Sequence, residues 1–261
     1  MTELATTPLQ TQLKILLIGD SCTDRYNIGT VDRLSPEAPV PVIKVIDSYD
    51  LSGMAANVYD NLTNLNCWIA FITNRENIVK TRYIDSRSGQ HLLRVDDEPV
   101  IEPWDGDIGS QPWETYNAVV ISDYNKGFLT YQHIEQIIRN FQGPVFIDTK
   151  KTDLQRFQGA WVKINELEYS RITSECSGLI VTKGADGAIA IHHDIYCPTR
   201  KVEVSDVCGA GDTFLSSLTY QYLLTKDIEK AIMFANIAAS ITVQHRGNYA
   251  PTYDEIRIAG Y

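Results

Sequence analysis

Short apolar runs, each the length of one buried strand, alternate along this chain with segments of helical periodicity. The runs are Leu13–Ile18, Trp68–Thr73, Ala118–Ser122, Val145–Asp148, Trp161–Ile164 and Leu179–Thr182, and most end in a polar residue. Helical patterns occupy Ala55–Leu65, Tyr131–Phe141, Thr213–Leu224 and Ile228–Gln244, the last with Ala231, Ala235, Ala238 and Ala239 on one tightly packed face. Continuous apolar runs mark strands buried on both faces, and strands alternating with helices build a parallel βαβ sheet. The predicted fold class is therefore α/β with a mainly parallel sheet.

Two regions break the alternation. Val40–Val45, then Thr81–Asp85 and Gln90–Val95 joined by a turn at Ser86–Gly89, read as extended, half-exposed strands beside the main sheet. They predict a small antiparallel β lid drawn from about residues 25–50 and 80–96. The acidic stretch Asp96–Asp107 reads as a solvated connector, because Pro99 and Pro103 interrupt any regular spacing of carboxylates. His192 and His193 are neighbours in an extended stretch, point to opposite faces on that reading, and receive no metal role. The expected organisation is a flexible N-terminus over 1–12 and a single domain over 13–261.

Composition narrows the function classes. With 261 residues, 44% hydrophobic and 21% charged, the chain can bury a globular core, and no apolar run approaches a membrane span. A net charge of −10 without a basic block disfavours nucleic acid as a partner. Met1–Gln12 lacks the charged and apolar regions of a signal peptide, so a cytoplasmic location is expected. Five scattered cysteines without CxxC spacing point to free thiols rather than a disulfide framework or zinc site.

The chemistry concentrates at Asp206-Val207-Cys208-Gly209-Ala210-Gly211-Asp212-Thr213, just before a helical segment. Small residues at Gly209, Ala210 and Gly211 let backbone N–H groups converge at a helix N-terminus, an anion hole for a phosphate or developing oxyanion. An acidic residue there repels bound phosphate, but makes sense as a base that accepts a hydroxyl proton during phosphoryl transfer. From spacing alone, Asp212 is also compatible with a plain helix cap. Asp20 and Asp24 follow the first strand, where α/β sheets place ligands, and carboxylates suit hydroxyl donors.

This octet resembles the DxxGAGDT motif of the ribokinase-like (PfkB) carbohydrate kinase family. Thr182-Lys183-Gly184-Ala185-Asp186-Gly187 is similar to that family's TxGxxG nucleotide loop, and Ala235-Asn236 to its adenine-side helix. Gly19–Tyr26, Arg33–Val42 with its SPEAPVPV run, Leu92–Asp96, Ser122–Gly127 and Asp148–Asp153 resemble the heptose 7-phosphate kinase branch, so the likeness spans about Leu13 to Tyr253.

The resemblance implies a ribokinase-like three-layer fold and ATP-dependent phosphorylation of a sugar or sugar phosphate, preferentially a heptose 7-phosphate to the 1,7-bisphosphate. It implies Asp212 as catalytic base with Gly209, Ala210 and Gly211 as anion hole. Lys150, Asn165, Thr182, Gly184, Gly187 and Asn236 are expected at the nucleotide. Asp20, Asp24, Arg33, Gly53, Asn57, Asp123 and Lys126 are expected at the sugar, and Glu168, in NxxE spacing with Asn165, at Mg²⁺. A homodimer through the lid is implied as well. A kinase for ribose or a fructose phosphate, and a sugar- or nucleotide-binding relative with reduced catalysis, are the alternative readings.

The chain departs from the family at Met54, in place of a glycine, at Cys208, in place of a threonine, and at Ile164, in place of a proline. It is also shorter between Thr73 and Thr81 and between Ser170 and Leu179, each by about a helix. No second domain is expected after Tyr261.

Overall fold

Lys14–Gly19 (β1) is covered on both faces: Leu16 and Ile18 enter one core, Ile15 and Leu17 the other. The computed structural model describes residues 12–261, so the expected flexible stretch over 1–12 lies, apart from Gln12, outside the described residues. Trp68–Thr73 (β4) pairs parallel with one edge of β1 and Ala118–Asp123 (β7) with the other. Beyond β7 follow Val145–Thr149 (β8), Trp161–Asn165 (β9) and Gly178–Thr182 (β10), all parallel. Ala188–Ala190 (β11) and Ile195–Cys197 (β12) then return antiparallel, giving the order β12-β11-β10-β9-β8-β7-β1-β4.

Ala55–Asn64 (α1), Ala210–Thr225 (α4) and Ile228–Thr242 (α5) cover one face, packing Val58, Leu62, Leu215, Leu218 and Ala235 on the sheet. Tyr131–Asn140 (α2) covers the other with Ile134 and Ile137, beside Phe157. Tyr253–Ile258 (α6) packs against α5.

Ser21–Leu34 (β2), Pro41–Met54 (β3), Ile78–Asp85 (β5) and His91–Asp97 (β6) form a separate four-stranded sheet in the order β3-β2-β5-β6. The parallel core and the β lid expected from sequence are both present, with one pairing different: β2 and β5 run parallel, so the lid is mixed. The reason is topological. β2 leaves β1 after Asp20 alone and β5 leaves β4 after residues 74–77, so two parallel core strands project parallel continuations. Residues 21–34 are strand throughout although they lack an apolar run, because only alternate side chains are buried there: Cys22, Asp24 and Tyr26, in register with Ile78, Lys80 and Arg82.

The segments expected to be short are short. Residues 74–77 contain no helix, and Glu166–Tyr169 (α3) is a single turn between β9 and β10. His192 and His193 do not lie in a strand, as the sequence suggested, but in a 3₁₀ turn, with His192 3.0 Å from Glu175. No cluster of His, Cys, Asp or Glu among the described residues is suited to hold a metal. The five thiols are free.

Candidate active site

Strand order reverses at β1, and the crevice beyond the carboxyl ends of the strands at such a reversal is where α/β sheets bind ligands. Asp20, Asp123, Asp148, Asn165 and Thr182 all stand at or beside those ends. Facing them is the start of α4, whose first-turn N–H groups lack intrahelical partners and carry partial positive charge. Gly209 caps that turn with φ +75°, and a Cβ there would lie 2.8 Å from Asn57 Nδ2. A Cβ on Gly211 would lie 2.8 Å from Lys163 Nζ. The glycines thus let an amide and an ammonium approach the helix end closely. Thr182, Gly184, Gly187, Ala210, Gly211 and Asn236 line one cleft of about 520 Å³. Asn236 also braces the cleft wall by donating to the Cys197 carbonyl at 2.8 Å.

Asp212 is 4% exposed and held through both oxygens: Asn57 Nδ2 donates to Oδ2 at 2.8 Å and the Tyr124 hydroxyl to Oδ1 at 3.0 Å. Burial is the main influence and pushes its pKa up to about 6; Asn57 opposes, Asp148 adds, and Lys163 and Tyr124 oppose. A carboxylate so poised is charged at neutral pH yet basic enough to take a proton.

Asp20 Oδ2 accepts from the Tyr124 and Lys126 amides at 2.8 and 3.4 Å, while Oδ1 is buried with no partner among the described residues. Burial first, then Asp123, raises its pKa. A buried acceptor left open in this way calls for a donor such as a hydroxyl. Asp24 accepts from Arg82 at 2.5 Å and from Asn248 at 2.9 Å, with Gly53 directly against its carboxylate.

Asn57 thus touches Asp212, Asp20 is linked to it through Tyr124, and Asp24 lies against Gly53 and Asn248, whereas other residues expected at the sugar are placed differently. Asp123 is consumed by Lys151, at 2.9 and 3.1 Å, and by Thr149 and the Asn125 amide, so it braces the strand ends. Lys126 pairs through its ammonium with Glu98 and faces Asp20 only through its amide. Arg33 lies exposed at the outer end of β2. Lys150 bonds to Glu168 and stands 5.0 Å from the Tyr124 ring centroid, outside the cleft lining. Asn165 and Glu168 cap α3 reciprocally, each side chain bonding the other's amide at 2.9 Å.

Several site residues escaped the sequence reading: Tyr124, Asp148, Lys163, Lys80, Arg82 and Asn248. Two left a signal. Lys163 interrupts an otherwise apolar strand, and Lys80 and Arg82 are spaced to share one strand face. Lys80 is 9% exposed, touches the Met54 sulfur at 3.5 Å, and forms no direct ion pair among the described residues, though Asp96 lies opposite it in the β5–β6 register and feels its charge. Met54 itself has φ +58° and ψ −132°, a conformation in which glycine is the rule.

A mixed α/β sheet with a β lid, a cleft at a helix N-terminus and a buried carboxylate on that helix's first turn characterise a ribokinase-like fold. The structure superimposes on ribokinase from Thermotoga maritima with a TM-score of 0.71 at 16% identity, covering 95% of this chain and 99% of that one. Phosphofructokinase-2 from Escherichia coli gives 0.71 at 14% identity, covering 95% and 97%. The model of the pfkB family of carbohydrate kinases matches residues 130–255. The bifunctional protein HldE of Haemophilus ducreyi is 31% identical over 308 aligned positions, covering 95% of this chain and 64% of that protein; HldE of Pasteurella multocida is 31% identical over 292, covering 90% and 61%. The chain thus spans a little under two thirds of the length of these relatives. It has the ribokinase-like fold, matches the pfkB carbohydrate kinase model over a little under half its length, and is similar to the HldE proteins over most of it.

Proposed function

We propose that this chain transfers the γ-phosphoryl group of ATP to a hydroxyl of a sugar phosphate, preferentially a heptose 7-phosphate, yielding the 1,7-bisphosphate. The observation that carries the reading is Asp212: a buried, doubly held carboxylate on the helix turn whose amides face the cleft. The acceptor hydroxyl, oriented by Asp20 and Asp24, gives its proton to Asp212 as its oxygen attacks phosphorus. The amides of Gly209, Ala210 and Gly211, together with Lys163, stabilise the charge gathering on the migrating group, and the bond to ADP breaks.

A phosphorylated acceptor is favoured over a neutral sugar by Lys80. Its ammonium is buried with no direct ion pair among the described residues, only the longer-range charge of Asp96, its register partner on β6, and an anionic group on the acceptor completes its neutralisation. The likeness to the HldE proteins supports the heptose branch. ATP is assigned to the cleft at Thr182, Gly184, Gly187 and Asn236, with Lys150 at its phosphate end.

Magnesium neutralises nucleotide phosphate charge when bound. Both Glu168 oxygens and the Asn165 oxygen already have protein partners, so these residues fit an ion carried by phosphates and reached through water, the arrangement Mg²⁺ favours. We assign the activity to the cytoplasm; among the described residues no helix is long and apolar enough to cross a membrane. A homodimer through the lid belongs to the same proposal, since Ile46, Leu93 and Val95 leave apolar surface exposed there. Sedimentation as a monomer at micromolar concentration rejects it.

The test is ADP release over a panel of heptose 7-phosphate, ribose, fructose 6-phosphate and the matching neutral sugars. Turnover highest with heptose 7-phosphate is expected. Highest turnover with ribose or fructose 6-phosphate assigns the sister activity. Thermal stabilisation by ATP with no ADP from any acceptor identifies a catalytically reduced relative, the reading favoured by Met54 intruding where glycine is usual.

A further inference from the structure

We infer that Tyr124 is a positioning residue that sets the acceptor carboxylate and the proton-accepting carboxylate relative to one another. Its backbone N–H donates to Asp20 Oδ2 at 2.8 Å, and its hydroxyl donates to Asp212 Oδ1 at 3.0 Å. One residue, its main-chain amide at one end and its phenol at the other, therefore joins the group that binds the acceptor to the group that takes its proton. The inference rests on the function proposed above.

The ring is fixed from both sides of the site. Lys80 Nζ, from the lid, lies 5.6 Å from its centroid, and Lys150 Nζ, from the loop after β8, lies 5.0 Å away. Two cations against one π face system restrict ring rotation and favour this orientation. The phenol is also a permanent donor. Burial, then the charges of Asp212 and Asp148, hold its pKa well above 10, so it keeps its proton at every working pH. It can orient Asp212 but not compete with it for the acceptor's proton.

Asp212 faces Asp148 from β8, Lys163 from β9, Lys150 from the loop after β8, Cys22 from β2 and the uncharged Asn57 from α1. Asn57 fixes Oδ2. Without Tyr124 nothing named here fixes Oδ1, and the carboxylate can rotate away from the acceptor. The Tyr124 bond also stabilises the charged form of Asp212, so its loss raises the pH at which the base becomes protonated.

The test is the pH profile of ADP release by Tyr124→Phe, using the acceptor of highest wild-type turnover. The expected result is a kcat about tenfold lower, an unchanged KM for ATP, and an acid limb moved up by roughly half a pH unit or more. If Tyr124→Phe does not fold, 3-fluorotyrosine at position 124 keeps ring and hydroxyl but strengthens the donor, and the limb should move down instead. An unmoved limb in either protein overturns the inference. So does a lower acceptor KM at unchanged kcat, which would make the phenol a plug occupying the acceptor's place. Asp212→Asn run in parallel separates the two claims: full turnover by that variant rejects Asp212 as base whatever Tyr124 does.

Discussion

Lys163 Nζ lies 2.7 Å from Asp148 Oδ2, and both side chains are about 95% buried directly behind the first turn of α4. The pair places one positive charge against the anion hole while keeping the buried charge balanced. Removing one partner of a buried pair leaves the other uncompensated, at about 3–5 kcal/mol, whereas replacing both by apolar residues is often close to neutral. Lys163→Met is therefore expected to destabilise by about 3–5 kcal/mol, and Lys163→Met with Asp148→Leu to recover most of that loss. Turnover should stay low in both. Urea midpoints and ADP release on the single and double variants check this, and recovery of activity along with stability would show the pair to be purely structural.

The elevated pKa of Asp212 predicts a trade between stability and activity. A carboxyl whose pKa rises from 3.8 to about 6 on folding binds its proton more tightly in the native state, so the native state loses stability as pH rises through that window. The shift corresponds to about 3 kcal/mol at neutral pH. Asp212→Asn should stabilise the fold at pH 7.5 by up to that much, read as a higher thermal midpoint, the gain fading below about pH 4. The same variant should lose at least about a hundredfold in kcat with little change in ATP binding. A lower midpoint at pH 7.5 would contradict the desolvated carboxylate.

Met54 joins two opposing effects. Its backbone conformation, with φ +58°, costs about 1–3 kcal/mol for a residue other than glycine, while its side chain, 4% exposed, contributes about 1.5–3 kcal/mol of burial. Met54→Gly should consequently cost no more than about 2 kcal/mol, the bottom of the 2–5 kcal/mol range typical when a core side chain of that size is truncated. Chemical denaturation measures this directly, and a loss of 3 kcal/mol or more would mean the backbone there carries no strain.

Lys80→Gln tests the anionic acceptor. A charge-assisted contact to a phosphate is worth about 1.5–3 kcal/mol, so kcat/KM for a sugar phosphate should fall about ten- to a hundredfold while the value for the matching neutral sugar changes little. The ratio of the two values is the readout. Equal losses for both acceptors would remove Lys80 from acceptor recognition and leave its burial to be explained by the lid alone.

Much of this architecture was legible in the sequence. Runs such as Leu13–Ile18 and Trp68–Thr73 are strands because a strand buried on both faces must be apolar at successive positions, and the observed β4 has the limits read from sequence. The helix starting near Gly209, with Asp212 in its first turn, follows from small residues before a helical pattern. The lid was harder. Ser21–Leu34 buries only alternate residues, several of them polar, so it looks like neither a core strand nor a surface helix.

What the sequence determined by itself was therefore local: strand and helix periodicity, and the motif that sets an acidic residue among helix-end amides. Tertiary structure alone decided which charges remain available. Asn57 meets Asp212 across 155 positions, and Tyr124 meets Asp20 across 104. Asp123 and Lys126 are spent on Lys151 and Glu98, while Asp20 keeps an open oxygen and Lys80 forms no direct ion pair among the described residues. Periodicity depends on neighbours a few residues away, but charge neutralisation depends on which strands lie side by side, and that is settled only when the chain has folded.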